Sequence, residues 1–130
     1  MPLPNYENTM KTQLTLGDMI RLLDRVEKPE TTVRFDFGRL KPRELDSYRG
    51  YYDQLALGWW ESEKDVTVAE LLVECRKAVG NTFDGYKGGE YKMTLSTPLW
   101  VANYGDCHDT AIVGVVDAGW QVVIETAFQA

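Results

Sequence analysis

Thr15-Leu16-Gly17-Asp18-Met19-Ile20 and Thr67-Val68-Ala69-Glu70-Leu71-Leu72 are the two stretches whose reading decides the fold. Each opens on a threonine followed three residues later by a carboxylate. In this capping box the hydroxyl accepts from the backbone N–H of the acidic residue, whose side chain reaches back to the threonine N–H. Behind the first box Leu16, Met19, Ile20, Leu23 and Val26 recur at helical spacing, and Lys28-Pro29 forbids continuation. The spacing predicts a helix over Leu16–Glu27. Behind the second, Val68, Leu71, Leu72, Cys75 and Val79 form the apolar stripe, and Gly80 is a residue suited to leaving a helix.

Outward from the first helix, Thr31–Phe37 reads as a strand, with Val33, Phe35 and Phe37 alternating with Arg34 and Asp36. Gly38–Asp46 contains Gly38 and Pro42 and reads as a connection. Ser47–Leu57 suggests a strand interrupted by Gly50, with Gly58, Trp59 and Trp60 following and a charged turn at Glu61–Asp65. After the second helix come a glycine-rich loop (Asn81–Gly89), strands over Glu90–Leu95 and Pro98–Asn103, and a turn at Gly105–Asp109. Two β-branched runs, Thr110–Val116 and Gln121–Thr126, flank Asp117-Ala118-Gly119 and should pair as a hairpin. Trp59 and Trp60 are consecutive, so one can face in and the other out; Trp100 and Trp120 are assigned to the core.

Each helix leads into a threonine-bearing strand start, Thr31-Thr32-Val33 or Thr97-Pro98-Leu99. The expected fold class is therefore α+β: two helix-plus-antiparallel-strand units, about 14–60 and 66–130, sharing one sheet. They form a single domain over 14–130 behind an N-terminal arm at 1–13, in which Met10 is an alternative start. Duplication accounts for the likeness of the halves; so does the general resemblance of any two capped amphipathic helices.

The chain has 130 residues, 44% of them hydrophobic, enough for one globular domain with a core of its own. No apolar run approaches the roughly 20 residues that span a bilayer, and no leader pattern opens the chain. Two cysteines without a spacing motif, Cys75 and Cys107, argue for a reducing cytoplasm. The net charge of −6 disfavours binding to duplex nucleic acid, which depends on many cation–phosphate contacts.

The sequence holds no P-loop, dinucleotide fingerprint, zinc-protease motif or nucleophile elbow, and a single histidine removes most zinc patterns. The segment Asn103–Thr110 carries Asp106, Cys107, His108 and Asp109, but neighbouring Cys107 and His108 point apart in extended chain, and a polar turn explains the composition. The loop Phe83–Tyr91 combines an anion cradle (Gly88, Gly89), a cation (Lys87) and aromatic plates (Tyr86, Tyr91), the parts that a nucleotide-like ligand needs. Ser47–Tyr52 repeats that composition with Tyr48 and Arg49, and Arg suits bidentate phosphate contact. A flexible turn and sheet-packed tyrosines explain these two segments equally simply.

Three stretches, S-Y-R-G-Y-Y-D-Q-L-A-L (Ser47–Leu57), G-Y-K-G-G-E-Y (Gly85–Tyr91) and T-P-L-W-V-A-N-Y-G (Thr97–Gly105), give the chain a likeness over about Leu14–Thr126. It resembles a group of small uncharacterised bacteriophage and prophage proteins. The resemblance transfers no active site. It implies action against host defences, by sequestering a cyclic-nucleotide signal or by binding a defence protein.

Three readings follow. In the first, the chain is a non-enzymatic, homo-oligomeric binder of a phosphorylated small molecule, without cofactor or metal. Arg49 and Lys87 contact phosphate, Gly88 and Gly89 donate backbone N–H groups, Tyr48 or Tyr86 stacks on a base, and Asn103 reads a base edge. In the second, the chain is a protein-binding inhibitor of a host defence protein, or a structural or other interaction protein of a phage, using an acidic surface that bears Trp59 and Trp60. In the third, a small hydrolase uses His108 as general base beside Asp106 and Asp109.

Overall fold

The computed structural model describes residues 12–37, 41–47, 55–60, 65–80, 82–84, 90–102 and 109–129. Among the described residues the helices are α1 (Leu16–Asp24) and α2 (Val68–Ala78). Both capping boxes form: Thr15 Oγ1 accepts from Asp18 N–H and Thr67 Oγ1 from Glu70 N–H, while both carboxylates return to the cap N–H at 3.0 Å. α1 ends three residues before the predicted stop, because the Arg25 N–H turns back onto the Leu22 and Leu23 carbonyls ahead of Pro29. α2 ends as expected, with Val79 extended and Gly80 at φ 77°.

The strands are β1 (Thr32–Phe35), β2 (Lys41–Ser47), β3 (Leu55–Trp60), β4 (Val66–Thr67), β5 (Thr82–Asp84), β6 (Glu90–Lys92), β7 (Leu99–Val101), β8 (Asp109–Asp117) and β9 (Val122–Gln129). The predicted β8–β9 hairpin forms. Two sequence expectations are corrected. Lys41–Ser47 is strand rather than connection, and it tolerates Pro42 because β2 ends the ladder, where a missing N–H costs least. Thr82–Asp84, read as loop, pairs with β6.

The fold is α+β, and both halves contribute to one mixed sheet of order β2-β3-β7-β8-β9-β1-β4. Of the strands that lead from the helices into the sheet, β7 pairs antiparallel with β8 of the hairpin that follows it, whereas among the described residues β1 is not ladder-bonded to β2 or β3. Each also runs parallel to the last strand of the other half: β1 beside β9 (Val33 with Val122, Phe35 with Ile124) and β7 beside β3 (Leu99 with Leu55, Val101 with Leu57). The helix starts interlock in the same way. Leu16 and Gly17 donate to Thr97 O and Leu95 O (both 2.8 Å), while Val68 and Ala69 donate to Thr31 O (2.9 Å) and Pro29 O (3.0 Å). N–H groups that a helix start leaves without an internal partner are thus satisfied by the opposite half. A Cβ on Gly17 would lie 3.0 Å from Leu95 O, which accounts for a glycine there. Both hairpins carry a register shift at equivalent places, between Pro42 and Leu45 and between Ile112 and Gly114. These matched pairings make the molecule a pseudo-two-fold repeat of helix, strand and hairpin.

One core serves both halves. Leu16, Met19 and Leu23 of α1 and Leu71, Leu72 and Cys75 of α2 pack with Val33, Phe35, Leu55, Leu57, Leu99, Ile112, Val122 and Ile124 from the sheet. The sheet curls until β2 comes back against β1 and α2. Lys41 at the start of β2 reaches Asp65, just before β4, with Nζ–Oδ1 2.9 Å, joining the two ends of the strand order.

Candidate functional site

An open cleft of about 400 Å³ lies on the outer side of the sheet where these ends meet. That volume falls within the range of small-molecule sites. Thr32, Val33 and Arg34 of β1 form its floor; Lys41, Asp65, Trp120 and Gln121 complete it. Strand alternation explains the floor: Val33 and Phe35 are buried, so Thr32 and Arg34 project from the opposite face.

Arg34 is held from two sides. Its Nε donates to Gln121 Oε1 at 2.9 Å, and its Nη1 donates to Phe35 O at 3.0 Å. Gln121 is placed by the β8–β9 turn, in which Ala118 N–H donates to Gln121 O (2.8 Å), Gly119 N–H donates to Asp117 Oδ1 (2.9 Å) and Gly119 takes φ 91°. Among the described residues no carboxylate pairs with Arg34. Lys41, by contrast, is only 19% exposed and carries the Asp65 ion pair, whose carboxylate is 62% exposed. The parallel β1–β9 ladder brings the hairpin tip beside β1, and the tip presents Trp120, 77% exposed, at the cleft. The core assignment of Trp120 is therefore corrected: it belongs to the turn and not to a strand, so no core face is available to it. Trp100, in β7, is half-buried.

This constellation offers an oriented guanidinium, an ammonium, an indole face, a hydroxyl and an amide. Such groups recognise an anion attached to a planar ring. Adjacency in sequence does not signal it, because Arg34 and Gln121 meet only through the β1–β9 pairing. The one local hint is the polar face of β1.

The residues singled out from the sequence, Tyr48, Arg49, Tyr86, Lys87, Gly88, Gly89 and Asn103, lie outside the described residues. So do Asp106, Cys107 and His108; Asp109 begins β8. The β5–β6 hairpin that brackets 85–89 lies against β2, the strand that runs into Tyr48. Among the described residues no group of three or more metal-ligating side chains occurs. No helix among them is long and apolar enough to cross a membrane. Comparison with protein-family models, curated proteins and solved structures finds no match.

Proposed function

We propose that this protein is a non-enzymatic receptor for a phosphorylated small molecule bearing an aromatic ring, held in the cleft between β1, β2 and the β8–β9 turn. The observation that carries the reading is Arg34, oriented by Gln121 and Phe35 O and without a carboxylate partner among the described residues, beside an exposed Trp120. A preorganised guanidinium loses little conformational freedom on meeting a phosphate, and an exposed indole gains by covering its face with a base. Arg49, Lys87, Gly88 and Gly89, with Tyr48, Tyr86 and Asn103, are proposed as further ligand contacts, supported by the packing of the β5–β6 hairpin on β2. In the phage setting that the sequence resemblance suggests, such a receptor would sequester a nucleotide signal in the host cytoplasm, acting as a homo-oligomer. Titration calorimetry with adenosine and guanosine nucleotides tests this. Binding that Arg34→Met abolishes, with an unchanged circular-dichroism spectrum, supports it; equal binding by wild type and Arg34→Met refutes the site.

A second reading has its own observation. Trp120 and Phe128 are both more than 70% exposed, which suits a protein partner. In that case Trp120→Ala weakens a macromolecular complex while nucleotides leave the melting temperature unchanged.

A further inference from the structure

The two cations of the cleft are not equivalent. Arg34 is fixed by neutral partners, so its charge is uncompensated among the described residues. Lys41 is largely covered and already carries a carboxylate at 2.9 Å. That carboxylate belongs to Asp65, which is mostly in water and so remains well hydrated when it leaves the pair. An anion that approaches Lys41 therefore competes with Asp65, which can retire into solvent.

We infer that Asp65 acts as an internal competitor that makes the cleft select terminal phosphate monoesters, which are dianions, over phosphodiesters and carboxylates, which are monoanions. This rests on the proposed ligand-binding reading of the same cleft. A monoanion satisfies Arg34 and has no second charge to draw Lys41 away from Asp65, so it binds with the ion pair intact. A monoester near neutral pH carries close to two charges and three strong acceptor oxygens. It bridges Arg34 and Lys41 and gains a second charge-assisted contact. Thr32 and Gln121, which also line the cleft, supply neutral polar groups and do not discriminate by charge.

The pseudo-two-fold relation shows that this arrangement is particular to one half. The helix-start and parallel-strand pairings place Arg34 in correspondence with Trp100, and the matched hairpin registers place Lys41 in correspondence with Ala111. In the second half those two positions, Trp100 and Ala111, are direct partners in the β7–β8 ladder. Among the described residues the second half thus lacks the cation pair, and one ligand per chain is expected at this cleft.

The test is calorimetry of the full chain with adenosine 5′-monophosphate and adenosine 3′,5′-cyclic monophosphate, which share the base and differ in phosphate charge. Wild type is expected to bind the monoester at least about tenfold more tightly, the order expected for one added close charge contact. Lys41→Met should lower monoester affinity to the diester's level and leave the diester unchanged. Asp65→Asn, a change on an exposed side chain, should tighten the monoester. Equal wild-type affinities, tighter binding of the diester, or a Lys41→Met loss shared by both ligands would overturn the selection while leaving the ligand-binding reading standing. Absence of binding by both nucleotides, to wild type and to Asp65→Asn alike, would overturn both.

Discussion

Truncating Phe35 and its ladder partner Ile124, singly and together, tests the feature on which both the fold and the cleft depend, the parallel pairing of β1 with β9. Both side chains are fully buried, and the Phe35 ring also lies 5.1 Å from that of Phe37, centroid to centroid. Phe35→Ala should cost about 3–5 kcal/mol and Ile124→Ala about 2–5 kcal/mol, the usual range for deleting such buried groups and leaving a cavity. Either is a large share of the roughly 5–15 kcal/mol that stabilises a domain. Milder versions, Phe35→Leu and Ile124→Val, keep all four proteins of a double-mutant cycle folded. If the residues are neighbours across the ladder, the second change enters a site already loosened by the first, and the costs fail to add by about 0.5–1 kcal/mol. Chemical denaturation followed by far-ultraviolet circular dichroism supplies the free energies. Costs that add within about 0.3 kcal/mol would mean that the two side chains do not meet, and would refute the interlocked topology.

Other outcomes follow from the same geometry. Thr15→Ala and Thr67→Ala should each lower stability by about 1 kcal/mol in denaturant titrations, since each removes a capping box. The Thr15 backbone N–H that donates to the Asp18 carboxylate, helped by the Thr15 hydroxyl and Arg21 against the cost of burial, holds that carboxyl below its ordinary range. Its folded value is thus below its unfolded value, so the stabilisation is complete above the ordinary aspartate range and is lost as the pH falls through the folded value. Asp18→Ala should therefore trail wild type at neutral pH and converge on it in acid. Gly119→Ala should cost about 1 kcal/mol in thermal unfolding: the added Cβ meets nothing within 4 Å, but φ 91° strains any side chain. Burial pushes the Cys75 thiol up to about 12, so in a Cys107→Ser background a thiol reagent should label unfolded protein only; labelling of the native protein at the unfolded rate would contradict the packing of α2.

Local chemistry alone determined the helices, because a capping box and an apolar stripe are complete within a dozen residues: Thr15 with Asp18 and Thr67 with Glu70 behave as their spacing predicts. The β8–β9 hairpin was legible for the same reason, its β-branched runs flanking a turn that Gly119 permits. The likeness of the two halves was visible as a pattern, and the repeated hydrogen bonds of the helix starts give it structural content. What the sequence did not disclose is non-local. Nothing in Val33 or Phe35 names Val122 or Ile124 as a partner, because parallel pairing is set by how the helices and hairpins of both halves share one core. Pro42 lowers the strand propensity of Lys41–Ser47, a penalty that the end position of β2 in the ladder removes. Trp120 lies beside a strand in sequence, but its place at the turn tip, which leaves it exposed, is set by the hairpin. The cleft belongs to the same category: Arg34, Lys41, Asp65 and Gln121 are ordinary polar residues far apart in the chain. Only the curled sheet, which brings its ends together, sets them around one space.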